Sequence, residues 1–350
     1  MAPAPEPPPA PTLTRRQWLQ GSGRGLLGLA GGTLLTTALG GCRRGDGPVL
    51  SAARGSLPAA WLQQLPAPWR ASTLEDPAAV LAAPGALVCL GDGWATNRPA
   101  ADWRPLEAPA LLERLAPLAA PVARLFQPEG SAELAYPWAF SAWVIALRSR
   151  PDLAARAQEG WRLLFDPSLK GRLVLPSSPR LVMQIAAGGA DAVGVDLDQL
   201  RALRRQALAH DDREGLNLLL SGEAEAAVLP VQRVVPLLRR DPRLRLVLPA
   251  SGAPLSWSLL LRPASATATP PPLAWMGSVL EEPLLPRLLA AGWVPPLAEK
   301  VLRPHLAGLP ATMAALLLPP AAVLERCWSL PPLDLRQRLV LQNLWDAAAP

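Results

Sequence analysis

The sequence predicts an α/β protein whose strands form a mainly parallel sheet. Between residues 149 and 251, short apolar runs alternate with segments of helical periodicity, which is the pattern of consecutive strand–helix units. With 350 residues, the chain is long enough for two lobes with separate cores. Half of the residues are hydrophobic, which argues against a largely disordered protein.

Residues 1–41 are predicted to be an export signal rather than part of the fold. A twin arginine, Arg15-Arg16, precedes an apolar pair, which is the pattern of Tat signals. The apolar stretch 25–39 is shorter than the ~20 residues that a membrane-spanning helix needs. This stretch ends at a sequence resembling a bacterial lipobox, Leu39-Gly40-Gly41-Cys42. Cys42 is therefore a predicted lipidation site, and residues 42–48 are a predicted tether.

The first predicted ligand-binding loop follows a short buried strand, Ala86–Leu90. Four predicted elements precede that strand: a strand at Val49–Ala53, a helix at Pro58–Leu65, a weak strand and a short helix at Pro77–Ala82. In open α/β sheets, ligands bind in the loops after the carboxyl ends of strands. Asp92 and Trp94 directly follow this strand, so both are candidate ligand-binding residues. The alternative is a Gly-Asp-Gly turn with Trp94 packed beneath it.

An aromatic-rich apolar run from Trp138 to Leu147 predicts a strand or a pair of strands. Alternation would place Trp138 and Phe140 on the same face. Aromatic faces attract cations by ~0.5–2 kcal/mol, which makes Trp138 a candidate cleft residue, although the same pattern suits a core. A helix is predicted at Pro151–Leu164.

The next segment resembles a known family. It carries the residues Trp161, Leu164, Asp166, Pro167, Leu169, Lys170, Gly171, Arg172, Leu173, Leu175 and Pro176. This string is similar to the lobe crossover of periplasmic solute-binding proteins of the polyamine (spermidine/putrescine)-binding type. A second similar string is carried by Leu219, Ser221, Gly222, Glu223, Ala227 and Val228. The resemblance implies a two-lobe type II periplasmic-binding-protein fold, with a ligand cleft between lobes joined by two hinge strands. Residues 49–142 and 258–350 would form lobe 1, and residues 143–257 lobe 2.

The same resemblance implies cleft positions in the second lobe and in the return strand. These are Ser177, Ser178, Arg180, Asp212, Gln232, Arg233 and Trp257. Asp212 also has a structural interpretation, because it precedes a predicted helix at Arg213–Leu220. One family feature is missing: Ser258 and Leu259 stand where an acid follows the aromatic residue. Burying a cation without a partner costs several kcal/mol, so this departure weakens polyamine specificity.

The resemblance implies a periplasmic lipoprotein, anchored to the membrane through Cys42, that binds a solute for an ABC importer. Its partners would be a small-molecule solute and a membrane permease, and the protein would be a monomer. The implied solute is a polyamine or a related organic cation. One alternative is a neutral or anionic solute held by Ser177, Ser178, Arg180 and Arg233 around a helix N-terminus. Another is a non-transport lipoprotein that kept the fold as an interaction module.

Other function classes find little support in the sequence. His occurs only at His210 and His305, and the H-E-x-x-H, P-loop, G-x-S-x-G and C-x-x-C motifs are absent. We therefore predict no enzyme, no metal site and no cofactor. The net charge of +6 comes from scattered arginines, which argues against nucleic-acid binding. Cys89 and Cys327 could pair in an oxidising compartment, or they could be two separate buried thiols.

Overall fold

The computed structural model describes residues 47–189, 191–192, 194–266 and 269–349. The predicted export signal and Cys42 therefore lie outside the described residues. The described residues form ten strands, which are β1 (Val49–Ala53), β2 (Arg70–Leu74), β3 (Leu87–Gly91), β4 (Trp103–Arg104), β5 (Ala135–Arg148), β6 (Leu173–Leu175), β7 (Ala207–His210), β8 (Ala226–Pro230), β9 (Leu244–Val247) and β10 (Leu255–Pro263).

The strands join into one sheet in the order β2-β1-β3-β10-β5-β8-β6-β7, with β4 beside β10 and β9 beside β5. At one end, β1 pairs in parallel with both β2 and β3. At the other end, β6 pairs in parallel with both β7 and β8. Antiparallel pairs around β5 and β10 connect these two parallel groups.

The strand β5 belongs to both parts of the sheet. Its first residues, 135–142, pair with β10, whereas residues 143–148 pair with β8 and β9. We call β2-β1-β3-β10 with the start of β5 the first half-sheet, and the end of β5 with β8, β9, β6 and β7 the second half-sheet. All residues of β5 except Arg148 are buried, because it runs through the centre of the molecule.

Sixteen α-helices occur among the described residues. They are α1 (Ala59–Leu62), α2 (Pro77–Ala82), α3 (Asp92–Thr96), α4 (Pro109–Leu112), α5 (Ala120–Ala123), α6 (Pro151–Ala154), α7 (Pro179–Ala187), α8 (Leu197–Gln206), α9 (Gly215–Ser221), α10 (Val231–Val234), α11 (Leu273–Gly277), α12 (Leu284–Ala290), α13 (Glu299–Leu306), α14 (Ala311–Leu317), α15 (Ala321–Leu324) and α16 (Leu335–Ala347). None of the helices in the described part is long and apolar enough to cross a membrane.

One predicted helix is interrupted. Instead of a continuous helix at Pro151–Leu164, the chain forms the short α6 and then a 3₁₀ segment, Ala157–Phe165. Gly160 lies inside this segment with φ of 58° and ψ of −131°, which is incompatible with helix. A Cβ at Gly160 would lie 3.2 Å from the side chain of Pro249, so close packing reinforces the choice of glycine.

Four tryptophans from distant parts of the chain form the centre of the core beside the first half-sheet. The rings of Trp61 and Trp275 are stacked with centroids 4.2 Å apart, and each indole N–H donates to the other residue's carbonyl oxygen, at 3.0 and 2.9 Å. Trp138 contacts Trp61 at 4.9 Å and Trp293 at 4.8 Å between centroids. Aromatic pairs at such separations stabilise a core beyond their buried area.

The C-terminal helix α16 contacts the helices of the second half-sheet. Arg201 and Arg204 of α8 donate to the carbonyl oxygens of Ala347 and Trp345, and the Arg204 guanidinium lies 3.8 Å above the Trp345 ring. Residues 335–347, which the expected division assigns to the first lobe, therefore make long-range contacts with a helix that precedes β7 of the second half-sheet.

Candidate ligand-binding site

A cavity of about 440 Å³ lies where the carboxyl ends of strands from the two half-sheets meet. The first half-sheet contributes Gly93, Thr96 and Asn97, from the segment that follows β3. The second contributes residues that follow β6, and the C-terminal segment supplies the remaining wall. The full lining is Gly93, Thr96, Asn97, Ser178, Pro179, Arg180, Met183, Leu330, Pro332, Leu333, Arg338, Leu341, Gln342 and Trp345.

The cavity brings together apolar surface and a few polar groups, as small-molecule sites do. Its charged lining residues are Arg180 and Arg338, and none of the described lining residues is acidic. A larger cavity of about 680 Å³ lies between β9 and α14. That second cavity is lined almost entirely by aliphatic side chains, so it lacks the convergent polar groups that would orient a polar solute.

The start of α7 shapes one wall of the cavity. Ser178 is the N-cap of this helix, and its hydroxyl oxygen accepts a bond from the Leu181 N–H at 3.4 Å. Arg180 follows in the first turn and donates from Nη1 to the Pro331 carbonyl oxygen at 2.6 Å. Its Nε is buried and has no partner among the described residues. Burial lowers the pKa of Arg180, and the charge of Asp92 partly offsets this effect.

Asp92 directly precedes the lining residue Gly93 but does not itself line the cavity. Its side chain is buried, and Oδ1 accepts a hydrogen bond from the Trp257 N–H at 3.2 Å. The other oxygen, Oδ2, is buried without a partner in the described part of the chain. Burial raises the pKa of this carboxyl to about 6, against the opposing effects of the Trp257 and Gly93 amides and of Arg180.

Three other predicted residues, Ser177, Asp212 and Arg233, form a network at the end of the second half-sheet. The Ser177 N–H and hydroxyl both donate to Asp212 Oδ1, at 2.9 and 2.5 Å. Arg233 donates to the carbonyl oxygens of Asp212 and Arg213. Asp212 therefore holds the loops after β6 and β7 together, and it does not cap α9, whose N-cap is Glu214. These side chains support the edge of the sheet but do not line the cavity.

The remaining predicted site residues lie outside the cavity lining. Trp138 has no exposed surface, because its ring is enclosed by Trp61 and Trp293 in the core rather than facing a cleft. Trp257 is also buried, with its indole N–H donating to Ser329 Oγ at 2.9 Å. Trp94 is 44% exposed, so it is not packed beneath the loop. The Gln232 N–H donates to Ser141 Oγ at 3.1 Å.

Sequence reasoning missed the part of the site that α16 supplies. Arg338, Gln342 and Trp345 line the cavity, and Trp345 is fixed by Arg204 above its ring and by His210, whose ring meets it edge-on at 5.7 Å. Burial and the charge of Arg204 lower the pKa of His210. The spacing of Arg338, Leu341, Gln342 and Trp345 places them on one helical face, but nothing in that pattern identifies the surface they meet.

The described residues show neither a metal-binding cluster nor a disulfide. No group of three or more His, Cys, Asp or Glu side chains in the described ranges could hold a metal ion. Cys89 and Cys327 are separate thiols. Burial raises the pKa of Cys89 to about 12, so this thiol is chemically inert at neutral pH.

Comparison with known proteins gives a consistent answer at the level of structure alone. No family model matches the sequence, and no curated protein matches it. Solved structures match over most of the chain. The spermidine/putrescine ABC transporter substrate-binding protein PotD from Streptococcus pneumoniae superposes with a TM-score of 0.69 at 14% identity, covering 86% of this chain and 97% of that one.

The chain has the fold of type II periplasmic substrate-binding proteins. The Tp0655 (TpPotD) lipoprotein of Treponema pallidum matches with a TM-score of 0.63 at 14% identity, covering 87% of this chain and 99% of that one. Iron-bound HitA from Pseudomonas aeruginosa matches with a TM-score of 0.59 at 15% identity, covering 86% of this chain and 99% of that one. Because neighbours named for polyamines and for iron share this fold, the fold itself does not specify the solute.

Proposed function

We propose that this protein is the extracytoplasmic solute-binding component of an ABC importer. The observation that carries the proposal is the cavity between α3 and α7, formed where the carboxyl edges of the two half-sheets meet. In this proposal residues 49–142 and 258–334 form one lobe and residues 143–257 the other, with α16 docked on the second. Closure of the lobes over a solute would be recognised by a membrane permease.

The charges of the lining bear on the kind of solute. A polyamine carries only positive charges, and Arg180 and Arg338 would repel them at close range. Trp138, the expected aromatic cleft residue, lies in the core, and the tryptophan of the described lining, Trp345, already has the Arg204 guanidinium over its ring. The site therefore supports a small solute with at least one anionic group rather than spermidine or putrescine.

Attachment to the membrane forms a separate part of the proposal. The twin arginine and the lipobox-like Leu39–Cys42 support Tat export followed by lipidation of Cys42. Metabolic labelling with a fatty-acid analogue should mark the protein, and Cys42→Ser should abolish both the label and membrane sedimentation. Labelling that persists in Cys42→Ser would contradict this assignment.

Native mass spectrometry of the purified protein tests the binding role. We expect a low-molecular-weight solute to remain bound and to be released by unfolding and refolding. Adding the recovered solute back at ~100 times its dissociation constant should raise the free energy of unfolding by ~2.7 kcal/mol. Arg336→Gln serves as a control, because this exposed arginine of α16 is outside the lining. A protein that carries no solute and responds to none would overturn the proposal.

A further inference from the structure

The cavity between β9 and α14 is an apolar groove that is separate from the candidate solute site. Its volume of about 680 Å³ lies within the range of ~300–1,000 Å³ that is usual for small-molecule pockets. Its described lining shares no residue with that of the cavity between α3 and α7. Apart from Arg245 and Thr312, all described lining residues are Ala, Val, Leu or Pro. Apolar surface that is left open to solvent in a concavity marks a binding groove.

The two walls of this apolar groove are fixed to each other at one end. Residues 244–248 of β9 and its continuation form one wall, and α14 with the first turn of α15 forms the other. Beyond β9, the Ala250 carbonyl oxygen accepts a hydrogen bond from Nε of Arg326, which follows α15, at 2.7 Å. The groove is therefore preformed, as small-molecule sites usually are.

Arg245 supplies the charge of the groove. Its Nη1 donates to the carbonyl oxygens of Pro242 and Leu244 at 2.6 and 2.8 Å, which holds the guanidinium at the start of β9. None of the ion pairs among the described residues includes Arg245, and no described lining residue is acidic. A guanidinium has five N–H donors, so donors remain for an anionic acceptor. A carboxylate is the acceptor whose geometry suits it best.

We propose that the apolar groove binds one free long-chain fatty acid, with the alkyl chain between β9 and α14 and the carboxylate at Arg245. The described lining contains no aromatic side chain, so it offers no stacking surface for a sugar or a heterocycle. A flexible alkyl chain fits such a wall, and its charged end complements the lone arginine. This site goes beyond the proposed solute-binding function, because it lies outside the cavity between α3 and α7.

Chain length and head group provide the first test. The full chain carrying Cys42→Ser is used, so that neither an acyl anchor nor detergent competes for the groove. Calorimetric titration below the micellar concentration would compare octanoate, decanoate and dodecanoate. The affinity should rise by ~4-fold for each added methylene, because each buried methylene adds a constant increment of binding free energy.

The head group should then decide between ligands of equal chain length. Dodecanol should bind at least ~5-fold more weakly than dodecanoate, and dodecyltrimethylammonium more weakly still, since its charge would meet Arg245. An affinity that does not depend on chain length, or a preference for the ammonium, would overturn the proposal. Sedimentation with phosphatidylglycerol vesicles without binding of dodecanoate would also overturn it, because it would indicate a membrane surface instead.

Variants in the same Cys42→Ser chain locate the site. Ala315 lines the groove from the exposed side of α14, so Ala315→Phe should fill the groove without disturbing the core and weaken dodecanoate binding by ~10-fold or more. Ala311→Phe is the matched control, because this exposed alanine of the same helix is outside the lining. Thermal unfolding without ligand should confirm that both variants are folded. Equal affinities in the two variants would overturn the proposal.

The role of Arg245 has a readout that a merely structural effect would not move. Arg245→Gln should lower the affinity for dodecanoate to that for dodecanol and leave dodecanol binding unchanged, whereas Arg336→Gln should alter neither. Equal weakening of both ligands would contradict the assignment of the carboxylate. Dodecanoate binding that is lost in Arg180→Gln and kept in Ala315→Phe would place the ligand in the other cavity and overturn the proposal, while leaving the proposed function intact.

Discussion

At the scale of single residues, Asp92 is a group whose burial costs stability. Its carboxyl is enclosed, and among the described residues the charge that acts on it is that of Arg180. The native pKa of about 6 lies above the unfolded value of ~3.9, so folding favours the protonated form. The contribution of this group to the free energy of unfolding is therefore largest below pH ~4 and falls as the pH rises to about 6.

We predict that Asp92→Asn stabilises the solute-free protein at high pH. Asn cannot ionise and keeps the acceptor for the Trp257 N–H. The free energy of unfolding should exceed that of wild type by up to ~3 kcal/mol at pH 8, and the difference should disappear near pH 4. Urea denaturation at pH 4, 6 and 8 measures it. Asp198→Asn is the control, because that side chain is 88% exposed and its loss should change stability by less than ~0.5 kcal/mol. A destabilised Asp92→Asn at pH 8 would contradict the account.

Asp92, Ser178 and Arg180 follow the ends of β3 and β6, as the short apolar runs of these strands predict. Their role in binding stays a prediction, based on the general use of the carboxyl edge of parallel sheets. Residue patterns failed for Trp138. Alternation in β5 states which residues share a face, but it does not state what covers that face. The cover is built from Trp61 and Trp293, which are distant in sequence. A cleft wall and a core wall are therefore indistinguishable from the aromatic run alone.

At the scale of elements, the crossing between the two parts depends on close backbone contacts. Gly252 precedes β10 with φ of 96°, and its carbonyl oxygen accepts from the Trp161 indole N–H at 3.1 Å. A neighbouring segment runs alongside, where Leu255 and Trp328 are joined by a backbone hydrogen bond of 2.7 Å. The segment around Trp328 therefore runs beside the start of β10, near the crossing that β5 and β10 form between the two half-sheets.

We predict that Gly252→Ala is strongly destabilising because the added Cβ would lie 2.0 Å from the Arg326 carbonyl oxygen. A matched control is Gly55→Ala, where φ is 76° and no heavy atom lies within 4 Å of the added Cβ. Both variants carry the penalty of a left-handed backbone, and only Gly252→Ala also creates a clash. Chemical denaturation should show Gly252→Ala less stable than Gly55→Ala by at least ~1–3 kcal/mol. Equal losses of stability in the two variants would show that the close contact between Gly252 and Arg326 does not constrain residue 252.

The docking of α16 leads to another prediction at this scale. Its C-terminal half is held by the Arg204–Trp345 contact, and a cation over an aromatic face contributes ~0.5–2 kcal/mol. Trp345→Ala should increase amide hydrogen exchange across residues 335–347 and weaken solute binding, because Trp345 also lines the cavity. Trp345→Phe keeps an aromatic face, so its amide exchange and its solute affinity should lie between those of wild type and Trp345→Ala. Unchanged exchange in Trp345→Ala would contradict the proposed attachment.

Most elements follow from local sequence patterns. The bounds of β1 and α2 agree with the prediction residue for residue, because an apolar run marks the strand and Pro77 marks the start of the helix. The interrupted helix at Gly160 was not foreseen, since a single glycine is tolerated in many helices and the deciding contact with Pro249 is long-range. The position of α16 was also unforeseen, because a terminal amphipathic helix can dock on either half.

At the scale of the whole molecule, the two half-sheets direct their carboxyl edges toward a shared space. Asp76, after β2, lies 3.9 Å from Arg213, after β7, which shows how near the two edges come. This exposed pair adds little stability by itself. Its geometry instead indicates a narrow cleft in which a small solute would contact both parts at once.

A crystal structure of the protein with its bound solute is the most direct test of the central claim. We predict density for a small molecule in the cavity between α3 and α7, with an anionic group within hydrogen-bonding distance of the Arg180 guanidinium. Solute density in the apolar cavity between β9 and α14, with the space beside Arg180 filled only by water, would contradict the account.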